Sequence, residues 1–468
     1  MKTMTRRSLR FFTLITAFTA LHAGVATASA AANTELDERG RYLATAGDCA
    51  ACHTAPGGKP FAGGLPITTP IGAIIATNIT PSKTAGIGNY SQQQFSDALR
   101  RGVRADGRRM YPAMPYTAYA QISDDDVHAL YEYFMHAVNP VDSAAAPTRL
   151  PFPFNIRLSM AAWNLLFLDS RPFAPDPSKS AGWNRGAYLV RGLTHCGACH
   201  TPRNWLMAEQ SSHELAGGDV GPWNAPNITS DANSGVGGWS ESDLVIYMKL
   251  GHAAGRAQAA GPMAEAVDDS LQHLKTADLQ AIATYVKMVP AQHDPADIRA
   301  IDTWGVGFDE LDSLRGMALP SDPEKMSGAQ LYDGYCASCH QARGQGSFDG
   351  DLPSLFHNTC TGRVVTNNLV MVILEGIRWP TGGSGVHMPG FADSLSDRQI
   401  ATLVLYLTSH YGNPDASVSS RQVQILRAGG AISHLVFAAR LGLAVMVLML
   451  IVILFLFTRR RRQPAGMP

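Results

Sequence analysis

The sequence predicts a mainly α-helical chain of three tandem domains followed by one transmembrane helix, and three observations predict it. First, a Cys-x-x-Cys-His box occurs three times, at Cys49–His53, Cys196–His200 and Cys336–His340. The boxes begin 147 and 140 residues apart, close to the ~150 residues expected of one domain. Second, the surroundings of the boxes repeat. Gly40-Arg41-Tyr42-Leu43 before the first box matches Gly186-Ala187-Tyr188-Leu189 before the second, and Asn78-Ile79-Thr80 returns as Asn227-Ile228-Thr229. Third, Leu441 to Phe457 is an uncharged apolar run closed by Arg459-Arg460-Arg461-Arg462.

The boxes carry the chemistry. Two thiols three positions apart reach the two vinyl groups of one porphyrin and form thioethers, and the adjacent His then ligates the iron from one side. The competing readings are a redox Cys-x-x-Cys or half of a zinc site. Three boxes, each ending in His, favour covalent haem c, three groups in all. Six of the seven cysteines (Cys49, Cys52, Cys196, Cys199, Cys336 and Cys339) are committed this way, which leaves little for a disulfide framework. Cys360 has no activating neighbour in the sequence and reads as a buried, inert thiol.

In chain order, residues 1–30 read as a secretory signal peptide: Lys2, Arg6, Arg7 and Arg10 precede the apolar stretch Phe11 to Leu21, and Ala28-Ser29-Ala30 is a small-residue cleavage site. The Arg6-Arg7 pair is read as coincidental, because c-type haem is attached after export and the chain need not cross the membrane folded. The first domain spans 34–139. Its opening helix, Glu35 to Ala46, leads into the box; a second helix follows Ser91 as N-cap, and Ser123 caps a closing helix with Val127, Leu130, Tyr131 and Phe134 on one face. A connector, 140–180, is rich in Pro but holds the apolar stretch Ile156 to Leu168, which reads as core packing between domains, a membrane-surface contact or a docking patch.

The second domain, 181–288, repeats this grammar, with Trp239-Ser240 in place of Tyr90-Ser91 and a closing helix over Asp278 to Met288. A second connector, 289–325, precedes the shorter third domain, 326–412, which keeps Leu331-Tyr332 before its box and a closing helix over Ser396 to Ser409. The transmembrane helix is placed at 436–458, with Arg440 snorkelling to the interface. The arginines of the tail, 459–468, place that end in the cytoplasm.

An iron held by one His takes a sixth ligand, and a Met thioether raises the potential into an electron-transfer range. Met114 in Tyr111-Pro112-Ala113-Met114-Pro115, Met263 in Gly261-Pro262-Met263 and Met388 in His387-Met388-Pro389 lie in loop-like contexts, 61, 63 and 48 residues after His53, His200 and His340. Met248 and Met371 fall inside helical apolar patterns and read as core, while Met110 is the rival to Met114. A bis-His iron would draw on His128, His136, His252, His273, His387 or His410, most of which read as structural.

The three boxes, Tyr111-Pro112-Ala113-Met114-Pro115, Asn78-Ile79-Thr80-Pro81 and His195-Cys196-Gly197-Ala198-Cys199-His200-Thr201-Pro202-Arg203 resemble the triple-haem cytochrome c subunit of bacterial membrane-bound dehydrogenases, over roughly Glu35 to Gly412. The resemblance implies three cytochrome c domains, His53/Met114, His200/Met263 and His340/Met388 as axial ligands, and no catalytic residue in this chain. It implies a quinoprotein, flavoprotein or molybdenum dehydrogenase subunit as partner, ubiquinone as acceptor, and a bacterial inner-membrane location with the haem domains on the periplasmic side. The arginine-ended span differs from the tail of the alcohol dehydrogenase subunit and points towards aldehyde or gluconate oxidation. Two other readings stay open: a tethered shuttle to a terminal oxidase, and a catalytic multihaem enzyme of the peroxidase kind with one open iron. A formal net charge of zero, with no basic stripe outside the termini, excludes a nucleic-acid partner.

Overall fold

Each repeat is built on a pair of crossing helices, and a glycine sits where they cross. The opening helices span 34–46, Ala181–Tyr188 and Gly328–Tyr335, and the closing helices span Asp124–Glu132, Thr276–Val286 and Asp397–Tyr411. A Cβ on Gly40 would lie 2.2 Å from the Ala129 carbonyl oxygen, one on Gly186 2.0 Å from that of Ala281, and one on Gly328 2.4 Å from Cβ of Tyr406. Only glycine lets the backbones approach so closely. The structure is a computed structural model and describes residues 34–348, 352–378, 387–431 and 433–461. The signal segment at 1–30 and the tail beyond residue 461 lie outside the described residues.

Between box and closing helix, each repeat carries a middle helix: Gln92–Arg101, Glu241–Leu250 and Asn367–Glu375. Ser91 and Ser240 cap the first two as the sequence predicts, each in a reciprocal capping box that satisfies two otherwise orphaned N–H groups. Ser123 accepts from the Asp126 N–H, and Asp124, Asp125 and Asp126 place negative charge at the positive end of the closing helix. Among the described residues, strand is confined to four two-stranded antiparallel hairpins.

The Tyr of the duplicated Gly-x-Tyr-Leu motif joins the first two repeats. In the first, Arg39 on the opening helix pairs with Asp126 on the closing helix at 2.6 Å; in the second, Arg185 pairs with Asp278 at 2.7 Å. Tyr188 of the second repeat donates to Asp126, and Tyr42 of the first donates to Asp278 at 2.5 Å. Each repeat thus lends a tyrosine to the other's ion pair. A single cluster of buried side chains runs through both, from Leu43 and Phe134 to Leu189 and Ile282, while a second cluster around Tyr332, Met371, Leu403 and Tyr411 forms the core of the third repeat.

Burial alone would raise the Asp278 pKa, but two bonds from Arg185 and one from Tyr42 outweigh it, and the carboxyl is held below its usual range. A depressed carboxylate adds stability above its unfolded pKa of about 4 and loses it as pH falls through the lower folded value. Asp278→Asn is therefore expected to cost about 2 kcal/mol at neutral pH, discounted because Arg185 is partly solvated. In denaturant titrations the gap to the parent protein should narrow below pH ~4; a gap independent of pH would remove the ionic account.

The third repeat docks on the second. Asn224 and Asn368 exchange hydrogen bonds of 2.9 and 2.8 Å, and Arg363 donates to the Asn224 side chain. The 140–180 connector forms a helix, Ser159–Phe167, against the first repeat. The last helix, Leu435–Arg461, contains a 24-residue segment, Leu435–Thr458, that is apolar but for Arg440 and Thr458, ~36 Å at 1.5 Å per residue and long enough for a ~30 Å hydrocarbon core. Its Arg440 donates from Nε to the Phe152 carbonyl at 3.0 Å.

Candidate haem-attachment sites

Each box folds into one short helical turn: Cys49–His53, Gly197–His200 after Cys196, and Ala337–His340 after Cys336. One turn places thiols at i and i+3 on a common face with the His beside them. Burial pushes every box thiol for which a shift is resolved upward: Cys49 and Cys336 to about 12, Cys52 to about 11, and Cys196 and Cys199 in the same direction. A redox Cys-x-x-Cys needs the opposite, a stabilised thiolate. Among the described residues, no three His, Cys, Asp or Glu side chains converge as a zinc site requires.

The three histidines share one device. Nδ1 of His53 meets the Thr77 carbonyl at 2.6 Å, that of His200 the Pro226 carbonyl at 2.7 Å, and that of His340 the Pro353 carbonyl at 2.9 Å. A carbonyl can only accept, so Nδ1 carries the proton and the Nε2 lone pair is free for a metal. Burial lowers the pKa of all three rings and keeps them neutral, the form that ligates.

The accepting carbonyls were not singled out from the sequence, although a signal for two of them was present. Thr77 and Pro226 immediately precede the duplicated Asn-Ile-Thr. There Asn78 Oδ1 accepts from the Thr80 N–H and hydroxyl at 2.8 and 2.7 Å, and Asn227 does the same with Thr229 at the same distances. The amide groups of these asparagines donate to Val141 and Gln292 in the following connectors. The motif is a fixed turn that aims one carbonyl at the box histidine. In the third repeat the carbonyl of Pro353 takes this place without the motif.

Met114 and Met263 are half-buried against the first core cluster, alongside Cys49 and Cys196, and Met388 packs against the second, which contains Cys336. Met263 departs from the expected loop. It lies in the first turn of the helix Pro262–Asp269, because Pro262 is well tolerated at a helix start. That helix packs directly on the first box. Met388 sits in a two-residue strand paired with Ile377–Arg378. Met248 and Met371 are core side chains, as their helical spacing predicts.

His128 and His136 are exposed beside Glu132, and His273 bonds the Asp268 carbonyl. His410 stacks on Phe308 at 4.0 Å, and His252 forms part of a hairpin. His387 pairs through its backbone with Arg378. His195, which the sequence presented only as the residue before the second box, is half-buried. It stands edge-on to Tyr119 at 5.6 Å and bonds the Gly47 carbonyl, which also accepts from Tyr119 Oη. Cys360 packs against the third repeat's core, where burial pushes its thiol to about 12, in keeping with an inert role.

Paired thiols on one turn, followed by a neutral, proton-fixed histidine in an apolar setting, define a c-type cytochrome with covalently bound haem. Residues 38–137 match the cytochrome c family, and residues 323–407 match the family described as cytochrome C oxidase, cbb3-type, subunit III. The chain is 47% identical to the fructose dehydrogenase cytochrome subunit of Gluconobacter japonicus, over 87% of this chain and 86% of that one. It is 40% identical to the gluconate 2-dehydrogenase cytochrome c subunit of Pantoea cypripedii, over 85% and 90% of the two chains. It is 38% identical to the cytochrome c subunit of the quinone-dependent alcohol dehydrogenase of Gluconobacter oxydans, over 86% and 84%. The chain belongs to the family of cytochrome c subunits of membrane-bound dehydrogenases. It is an electron carrier of such a complex and not its catalytic subunit.

Proposed function

We propose that this chain holds three haem c groups and relays electrons from a dehydrogenase catalytic subunit to membrane ubiquinone, on the periplasmic face of a bacterial inner membrane. The observation that carries the reading is the threefold recurrence of a box histidine whose Nδ1 is fixed by a carbonyl. The cysteine pairs Cys49/Cys52, Cys196/Cys199 and Cys336/Cys339 would form the thioethers. His53, His200 and His340, with Met114, Met263 and Met388 opposite, would hold the irons. Bound haem c supplies reversible one-electron chemistry at a potential tuned by ligation and burial. The chain's own part is to keep each histidine neutral and aimed, and to present a soft thioether from the same core. A Met against the core in every repeat counts against the open iron of a peroxidase-like enzyme. The domains would run as 34–139, 181–288 and 326–412, with the span at 435–458 as anchor.

Identity declines from the fructose-linked relative to the gluconate-linked and alcohol-linked ones, which supports a sugar or sugar-acid dehydrogenase as partner. Intact-mass measurement of the exported protein is expected to show three haem adducts, with the signal segment removed. Two adducts or fewer would overturn the count. Purification from membranes should bring down a catalytic subunit that reduces the haems when given a sugar or sugar acid. A cytochrome recovered alone, yet reduced by the membrane pool, would favour the oxidase shuttle instead.

A further inference from the structure

The connector helix Ser159–Phe167 is built inside out for a water-facing element. Its polar Asn164 is 8% exposed, while Leu158, Leu165 and Leu166 are 76%, 86% and 68% exposed. The inward side is firmly tied. Asn164 accepts from Tyr116 Oη at 2.8 Å and donates to the Arg101 carbonyl at 3.0 Å, and Trp163 stacks edge-on to Tyr116 and donates to the Leu206 carbonyl at 2.9 Å. The outward stripe, Leu158, Ala162, Leu165 and Leu166, follows helical spacing and is apolar, with the exposed Ser159 at its edge, its hydroxyl tied to the Ile156 carbonyl at 2.7 Å. The loop held by Trp163 adds Trp205, 80% exposed. Burying an amide and presenting leucines is unfavourable in water and favourable against hydrocarbon.

The position of the stripe identifies what covers it. The same connector, through the Phe152 carbonyl, receives Arg440 of the last helix just where that helix leaves the protein body. From Leu441 to Phe457 the helix is apolar on every face and almost wholly exposed. We propose that the outer face of Ser159–Phe167, with Trp205, is a second membrane contact, lying flat in the lipid–water interface beside the C-terminal span. This rests on the reading of Leu435–Thr458 as a membrane span. Leucines beneath the interface and a tryptophan at headgroup depth are the composition such a contact requires. A bond from Tyr111 to the Phe154 carbonyl and the Tyr116–Asn164 bond tie this helix to the segment carrying Met114. The contact would therefore set the height of the first haem site above the bilayer.

The test uses the full haem-loaded chain, alone and in its native dehydrogenase complex, in nanodiscs doped with a photoreactive diazirine phospholipid, with adducts mapped by peptide mass spectrometry. Lipid adducts are expected on 158–166 and on Trp205 as well as on 441–457, in both preparations. Adducts on 441–457 with none on 158–166 would overturn the second contact and leave the span intact. The absence of adducts on 441–457 would remove the span reading itself. Loss of the 158–166 adducts in the complex alone would make the stripe the catalytic subunit's seat, which also overturns the proposal. The triple variant Leu158→Ser, Leu165→Ser, Leu166→Ser is expected to lower labelling of that helix about tenfold. Its haem absorbance and the labelling of the span should stay as in the parent; undiminished labelling of the helix would count against insertion.

Discussion

Met263→Leu is expected to leave haem attached to Cys196 and Cys199 while lowering the potential of that site by ~0.2 V, a fraction of the ~0.8 V range that axial ligands command. The thioethers and His200 do not depend on the methionine, so covalent attachment survives. On the proposed ligation, the change would remove a soft, neutral donor that favours reduced iron. For a single electron, about 59 mV is tenfold in equilibrium, so such a shift disfavours an electron's occupancy of that site by roughly two-thousandfold. In a serial relay, quinone reduction by the whole complex should fall steeply, while oxidation of the partner's substrate with an artificial acceptor persists. Redox titration of each site and the two activity assays decide it. Loss of both activities would place a haem in the substrate chemistry and end the relay reading. Met114→Leu and Met388→Leu should behave alike at their own sites. An unchanged spectrum and potential after Met114→Leu would pass the ligand role to Met110 or a histidine.

Gly186→Ala is expected to destabilise the protein by about 3 kcal/mol or more, although glycine-to-alanine inside a helix ordinarily stabilises by roughly 0.5–1 kcal/mol. The added methyl would lie 2.0 Å from the Ala281 carbonyl oxygen and 2.7 Å from Cβ of Tyr285, on a closing helix that cannot yield without opening the shared core. Gly334 supplies the matched control. It lies in the third opening helix, Gly328–Tyr335, is exposed, and has no atom within 4 Å of an added Cβ. Gly334→Ala should therefore stabilise, by about the ordinary increment. Thermal unfolding of both variants, followed at the haem absorbance, tests the pair. Equal effects of the two substitutions would show that close approach at the helix crossing is not what governs Gly186.

Much of the site was legible because covalent haem attachment is written locally. Two thiols and a histidine within five positions need no distant partner to be recognised, and caps and apolar spacing placed the first middle helix and the second and third closing helices within two residues. The methionines were legible only as chemistry at a plausible distance. Sequence put Met263 in a loop, whereas the fold puts it in a helix packed on the first box, because proline that interrupts a helix also starts one.

By itself the sequence determined the class of cofactor, the helical grammar of the three repeats and the apolar span, since each depends on contacts within a few residues. Only the tertiary structure decided how the repeats join. Gly-x-Tyr-Leu reads in the sequence only as a mark of repetition, yet Tyr42 and Tyr188 each complete the other repeat's ion pair, across 236 and 62 positions of chain. The same holds for the carbonyls of Thr77, Pro226 and Pro353, which no side-chain motif names, and for the leucines of Ser159–Phe167. Whether an apolar stripe faces core, partner or lipid depends on which other surfaces stand beside it, and that is a property of the folded molecule.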